Sequence, residues 1–383
     1  MNNNVHKIII VGDLFPTEDN VSYFVKGDTD ALFGEKILQL FAESVYCICN
    51  LEGALTDNPD AIKKTGPVKL SPTSAIEAYK KIGIDCCMLA NNHATDGGHN
   101  GMMETMQALD NAGIKHIGAG KNENEIVRSF VQEVGGMTIG FYNVSERMYN
   151  KPTKNTAGAW LYDEYVVCKD IEELKQKCDY LVVVYHGGIE KFPYPSPETK
   201  KRFHRMADCG ADMILAQHTH CVGCEEWYNG SYLLYGQGDF LLKNFAPGLT
   251  DSGMIIELDI EEGKVQIKKH LVKSVDNLFV RYDEQQDFSK FEERSMRLQD
   301  EEFVTQQLQK FCDGELRLYL KAFKSPSRLR LRLARYFPKA YKSWLYKYNE
   351  RDLMFAIHTL RSEQNRETAL LGLEHFLNSI TRV

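Results

Sequence analysis

Nowhere in this chain of 383 residues is an apolar run long enough to cross a bilayer, and the run nearest the N-terminus, Ile8 to Val11, passes straight into Gly12 and Asp13 instead of a small-residue cleavage site. The expectation is a cytoplasmic protein. A large excess of charge is missing as well: 46 Lys and Arg against 53 Asp and Glu leave a net charge of −7, which argues against general affinity for nucleic acid. A second CxxC is absent, so the one pair, Cys221 and Cys224, lacks the partner that a structural zinc usually needs. No glycine-rich loop has nucleotide-binding spacing, and Gly118-Ala119-Gly120 reads as a turn.

What is present is a series of short apolar runs. "KIIIVGD", "VYCICNLEG", "DCCMLANNH", "TIGFYNV", "YLVVVYHGG", "DMILAQHTH" and "SYLLYGQGDF" have strand character, and helix-like stretches lie between several of them, at 74–82, 101–112, 171–178 and 196–209. Buried strands alternating with helices indicate an α/β architecture with its active groups at the C-terminal ends of the strands. Cys47, Cys49, Cys86 and Cys87 sit inside these runs, where a thiol behaves as a small hydrophobe, as in a reducing compartment. "GMIIELDI" and "KVQIKKHLV" predict a hairpin that closes the domain.

After about residue 275 the texture turns charged and helical, which divides the chain into 1–275 and 276–383. From Lys321 to Arg351 there are ten Lys or Arg against one Glu, interleaved with Tyr336, Phe337, Tyr341, Trp344, Tyr346 and Tyr348. Basic residues mixed with aromatics suit peripheral contact with an anionic membrane or a polyanion. A solvated helical pair is the alternative.

Five of these runs end on polar groups: Asp13 in "VGD", Asn50 and Glu52 in "CNLEG", Asn91, Asn92 and His93 in "ANNHATDGG", His186 in "VYHGG", and His218 with His220 in "QHTH". In a parallel sheet such exits converge along one edge. Strand alternation places His218 and His220 on the same face, as two metal ligands. Carboxylate, amide and imidazole donors suit Mn, Zn or Fe better than Ca or Mg.

A carboxylate between two cations can bridge them, and the pair can activate water and neutralise a phosphoryl group; Glu52 is the candidate bridge. His93, beside Asn92, is the candidate proton donor. Asp96 can orient it through a ring N–H, or cap a helix. Asn50, Asn91, Glu190 and Asp239 are candidate substrate contacts, although a loop carboxylate such as Glu190 is commonly just solvated.

The ordered motifs GD, NLEG, ANNHATDGG, HGGIE with PYPSP, GAD with QHTH, and YGQGDF resemble those of the CapA-type capsule and poly-γ-glutamate biosynthesis proteins, in the calcineurin-like metallophosphoesterase superfamily. The likeness covers roughly residues 7 to 245. It implies an α/β/β/α sandwich of two mixed sheets flanked by helices, and two divalent transition-metal ions. Asp13, Glu52 and His220 would surround one; Glu52, Asn92, His186 and His218 would surround the other, with His93 as proton donor. The chain departs from the superfamily's opening Asp-x-His, because Leu14 and Phe15 follow Asp13. Its bridge is Glu where Asp is usual, Gln217 precedes the HxH, and "GDF" replaces "GNF". A weaker first site is the expectation.

Two functions follow. One is a phosphoesterase acting on a phosphorylated or polyanionic intermediate of capsular polymer synthesis. The other is a non-catalytic protein that binds the polymer or its synthase.

Overall fold

Along His6–Leu14 every residue from Ile8 to Leu14 is buried, and the side chains alternate between two environments. Ile8 and Ile10 join Ile48, Met88, Phe141, Val182, Val184 and Leu215 in one core. Ile9 and Val11 join Cys47, Cys49, Phe24, Phe33 and Tyr79 in another. A strand apolar at every position therefore has a packed layer on each side, which is why these runs are continuous rather than alternating. Each fully buried Ile contributes roughly 1.5–3 kcal/mol relative to exposure.

The computed structural model describes residues 5–243, 252–320 and 350–381. Its larger sheet has the order Phe279–Tyr282, Lys264–Val275, Ser252–Glu261, His6–Leu14, Tyr46–Leu51, Cys86–Met88, Lys115–Ile117, with Asp239–Leu241 also paired to His6–Leu14. The last four strands of that order are parallel to one another and the first three join antiparallel. The smaller sheet runs Glu225–Tyr228, Ser231–Leu234, Met213–Gln217, Tyr180–His186, Met137–Ser145, Ser129–Val134, its inner strands parallel.

Helices cover both outer faces. Val21–Lys26, Glu35–Ala42, Ile76–Ile82 and Gly98–Ala112 lie on the larger sheet, and Glu164–Lys175 and Pro197–Asp208 on the smaller. The last two start where the sequence supplies a cap: Asp163 accepts from the Val166 N–H, and Ser196 from the Thr199 N–H ahead of Pro197. The architecture is an α/β/β/α sandwich of two mixed sheets.

The expected hairpin is present as Ser252–Glu261 with Lys264–Val275. Phe279–Tyr282 extends it, and the compact unit continues to Val304, whereas the sequence texture changes near residue 275. Ala119 and Gly120 pair with Gly158–Ala159 in a small antiparallel sheet, not in a plain turn. The chain from Thr305 onward, with Lys63–Pro67, forms a second unit. It contains the helices Glu350–Arg361 and Glu363–Thr381, with a Tyr319 hydroxyl donating to Asn365 Oδ1 at 2.8 Å. The basic segment 321–351 lies outside the described residues except for Glu350 and Arg351.

Candidate metal centre

The parallel strands of both sheets deliver their C-terminal ends to one place. The larger sheet brings Asp13, Asn50, Glu52, Asn91, Asn92 and His93, and the smaller brings His186, His218 and His220. Asp239 arrives on a strand parallel to the first, in register with Asp13. That approach needs glycine: a Cβ on Gly12 would lie 2.3 Å from the Gly238 carbonyl oxygen.

Donor atoms of the candidate ligands face one another. Glu52 Oε1 lies 3.7 Å from His186 Nε2, 3.9 Å from His220 Nε2 and 3.8 Å from His93 Nε2. Asn92 Oδ1 is 2.8 Å from His186 Nε2, and Asp13 Oδ2 is 3.6 Å from His220 Nδ1. Two ligands bound at about 2.1 Å to one ion stand roughly 3–4 Å apart, so these spacings suit a shared cation.

Amides hold the cluster in shape. The Asn50 side-chain NH2 donates to Asp13 Oδ1 at 2.7 Å and lies 3.2 Å from His186 Nδ1. Asn91 in turn donates to Asn50 Oδ1 and to the Leu51 carbonyl. Both amides are fully buried, so their contacts run inward, to the other residues of the site. Asp96 Oδ2 accepts from the Lys69 backbone N–H and sits 2.6 Å from His93 Nδ1. Asp96 is no helix cap, since Gly97 precedes the helix Gly98–Ala112.

Strand alternation does not position His218 and His220. The strand Met213–Gln217 ends before them, and both residues have positive φ, 89° and 54°. Such backbone is costly for a non-glycine residue and marks functional turns. The two rings do turn toward one site, with centroids 5.8 Å apart, but through a left-handed turn and not strand alternation.

Electrostatics favours a cation here. Burial and the facing Glu52 carboxylate push Asp13 up to about 8. Burial pushes His218 down to about 4 and His186 well below its ordinary value. For His220, burial opposes the charged form, but Asp239, 2.8 Å from Nδ1, and Glu52 lift it to about 10. Glu52 Oε1 and both ring nitrogens of His218 are buried with no hydrogen-bond partner, which native proteins rarely tolerate unless an ion or water completes them. The donor set therefore fits a divalent metal, and among the described residues three groups have the right spacing: Glu52, His186, His218; Glu190, His218, His220; and Asp13, His220, Asp239. Glu190 stands at the rim, its side chain 40% exposed and Oε1 3.8 Å from His218 Nε2.

Sequence reasoning missed two residues. Glu146 follows Met137–Ser145 and its Oε1 lies 3.7 Å from His218 Nε2; the strand-exit pattern extends to it. Lys69 forms an ion pair with Glu52 Oε2 from a loop and carries no such signal. Cys221 and Cys224 are buried thiols, Cys221 pushed up to about 12 by burial, and no cysteine belongs to a metal-spaced group among the described residues. They are core residues.

Comparison with known proteins places the chain. The family model "Bacterial capsule synthesis protein PGA_cap" matches residues 7–244. The chain is 28% identical over 231 residues to the PGA biosynthesis protein CapA of Bacillus subtilis, covering 59% of this chain and 60% of that protein. It is 29% identical over 209 residues to a protein of Mycobacterium tuberculosis named "probable polyglutamine synthesis accessory protein", covering 50% and 54%. The match thus spans little more than half the length of these relatives. Among solved structures, a phosphatase from Mycoplasma pneumoniae aligns with a TM-score of 0.43 at 16% identity, covering 75% of this chain and 99% of that one.

Proposed function

Because the chain belongs to the bacterial capsule synthesis PGA_cap family, we propose that it is a metal-dependent phosphoesterase acting on a phosphorylated or polyanionic intermediate in the synthesis of a capsular or polyglutamate polymer. The observation that carries this reading is the convergence of buried, unpartnered Glu52 and His218 atoms with His186, beside the His93–Asp96 pair. Glu52, Asn92, His186 and His218 are the residues that would hold a divalent ion, which would supply Lewis acidity for water activation and for offsetting phosphoryl charge.

The protein's own groups do the rest. Asp96, accepting the Nδ1–H of His93, stabilises the imidazolium and leaves Nε2–H directed at the site, 3.8 Å from Glu52 Oε1. That proton goes to the leaving oxygen, a contribution of about 10²–10⁴ in rate. Asn50 and Asn91 keep Asp13 and His186 in place, and Glu190 meets substrate at the rim.

The test is turnover of aryl phosphomonoesters and phosphodiesters by purified protein with Mn or Zn. His93→Ala should retain bound metal and lose about 10²–10⁴ in kcat; undiminished turnover in that variant would remove the assignment.

A second reading has its own support. The superfamily's opening Asp-x-His is missing, and the relatives are named for biosynthesis and accessory roles, not for hydrolysis. A binding protein for an anionic polymer, using the basic segment 321–351, would associate with polyglutamate or anionic liposomes in a salt-sensitive way and show no turnover.

A further inference from the structure

Lys69 enters the centre from outside the strand-exit pattern, and its position is tightly determined. Its backbone N–H donates to Asp96 Oδ2 at 2.7 Å and its carbonyl accepts from the Ala54 N–H at 3.1 Å. Leu70–Ser71 then pairs with Ala54–Leu55, just after Glu52. The ammonium reaches Glu52 Oε2, with the lysine side chain only 12% exposed and Glu52 fully buried. Glu52 is therefore half engaged. Its Oε2 holds Lys69 while its Oε1 has no hydrogen-bond partner and faces the imidazoles.

The open donors gather on one side. Glu52 Oε1 and both nitrogens of His218 are unsatisfied and group with His186. Asp13, His220 and Asp239 also group, but they already hold partners. His220 Nδ1 is on Asp239, and Asp13 accepts from Asn50 and, at 3.2 Å, from the His218 backbone N–H. Where Asp-x-His would supply another imidazole, Phe15 is buried in the helical layer. Its ring packs so close to Gly53 that a Cβ there would lie 2.4 Å away.

From this we infer that Lys69 is a built-in cation standing in for the second metal ion, so that the centre holds one divalent ion, on the Glu52 Oε1, His186 and His218 side, beside a fixed ammonium. The inference rests on the metal-centre reading above. An ammonium on Oε2 offsets the single charge of the Glu52 carboxylate, is tethered to the chain where an ion could leave, and denies that oxygen to a second ion.

The test is titration of metal-free protein with Mn(II). Bound ions are counted by elemental mass spectrometry after equilibrium dialysis, and ion–ion coupling is read by electron paramagnetic resonance. Wild type and Lys69→Arg should bind one Mn per chain with the spectrum of an isolated ion. Lys69→Met should bind two with an exchange-coupled spectrum, because Oε2 is released to bridge, and His218→Ala should bind none. Two ions in wild type, or one in a Lys69→Met protein shown to be folded by circular dichroism, overturns the inference and leaves the metal centre standing. No ion in wild type defeats both. Should Lys69→Met fail to fold, the counts for wild type and Lys69→Arg decide.

Discussion

Two of the acid and imidazole groups of the centre share residue types yet differ in what their atoms already hold. In one, Glu52 Oε1 and both ring nitrogens of His218 are buried without hydrogen-bond partners beside His186, whose nitrogens meet Asn50 and Asn92, whereas in the other Asp13, His220 and Asp239 largely satisfy one another and their neighbours. The difference teaches that affinity for a cation is set by unsatisfied donors rather than by a count of His, Asp and Glu. A cluster that is internally bonded must give up those bonds before it can bind an ion.

The sharpest way to break this contrast is to remove one residue from each side. His186→Ala should weaken divalent-ion binding by upwards of about 100-fold, more than the loss of an outer partner costs, as read by calorimetric titration. Equal losses from His186→Ala and from a change at Asp239 would erase the distinction. Gly12→Ala strikes the approach of the strands that carry Asp13 and Asp239, because the new methyl meets the Gly238 carbonyl. It should cost about 1–3 kcal/mol in urea denaturation. Asp239→Asn, which leaves shape but weakens the hold on His220, should reduce metal affinity only about tenfold.

The smallest effect sharpens the contrast from far outside the centre. Glu104 is held down to about 2, first by the Thr56 hydroxyl at 2.6 Å and then by the Asn58 amide at 2.9 Å, whereas buried Asp13 is pushed up to about 8. A carboxylate depressed in the folded state adds stability that is present above its unfolded value near 4.5 and is lost as pH falls toward 2. Glu104→Gln should therefore flatten the melting temperature between pH 5 and 2 slightly, by an amount ordinary for an exposed group. An unaltered acid slope would show that these hydrogen bonds do not persist in solution.

Much of the fold was legible. The runs at Ile8, Cys47, Cys86, Leu181 and Met213 fold as strands, and their polar exits meet as expected. The boundary of the sandwich was less so, because Phe279–Tyr282 is a short, half-buried edge strand in a charged stretch, which leaves little periodicity to read. The HxH motif does not follow strand alternation past Gln217, because the backbone turns left-handed at His218, a turn that no local pattern of residue types signals. Lys69 was invisible, since a lysine in "PVKLSP" looks like any solvated loop charge until Asp96 and Ala54 pin it against Glu52.

The amino-acid sequence by itself determined the layers and the chemical types at the strand exits, because apolar continuity and its polar interruption are local properties read over a few residues. Only the tertiary structure decided which of those donors are satisfied. Whether Glu52 Oε1 or His220 Nδ1 has a partner depends on atoms from distant strands and loops, and that pairing, not residue type, separates an open ligand from an occupied one.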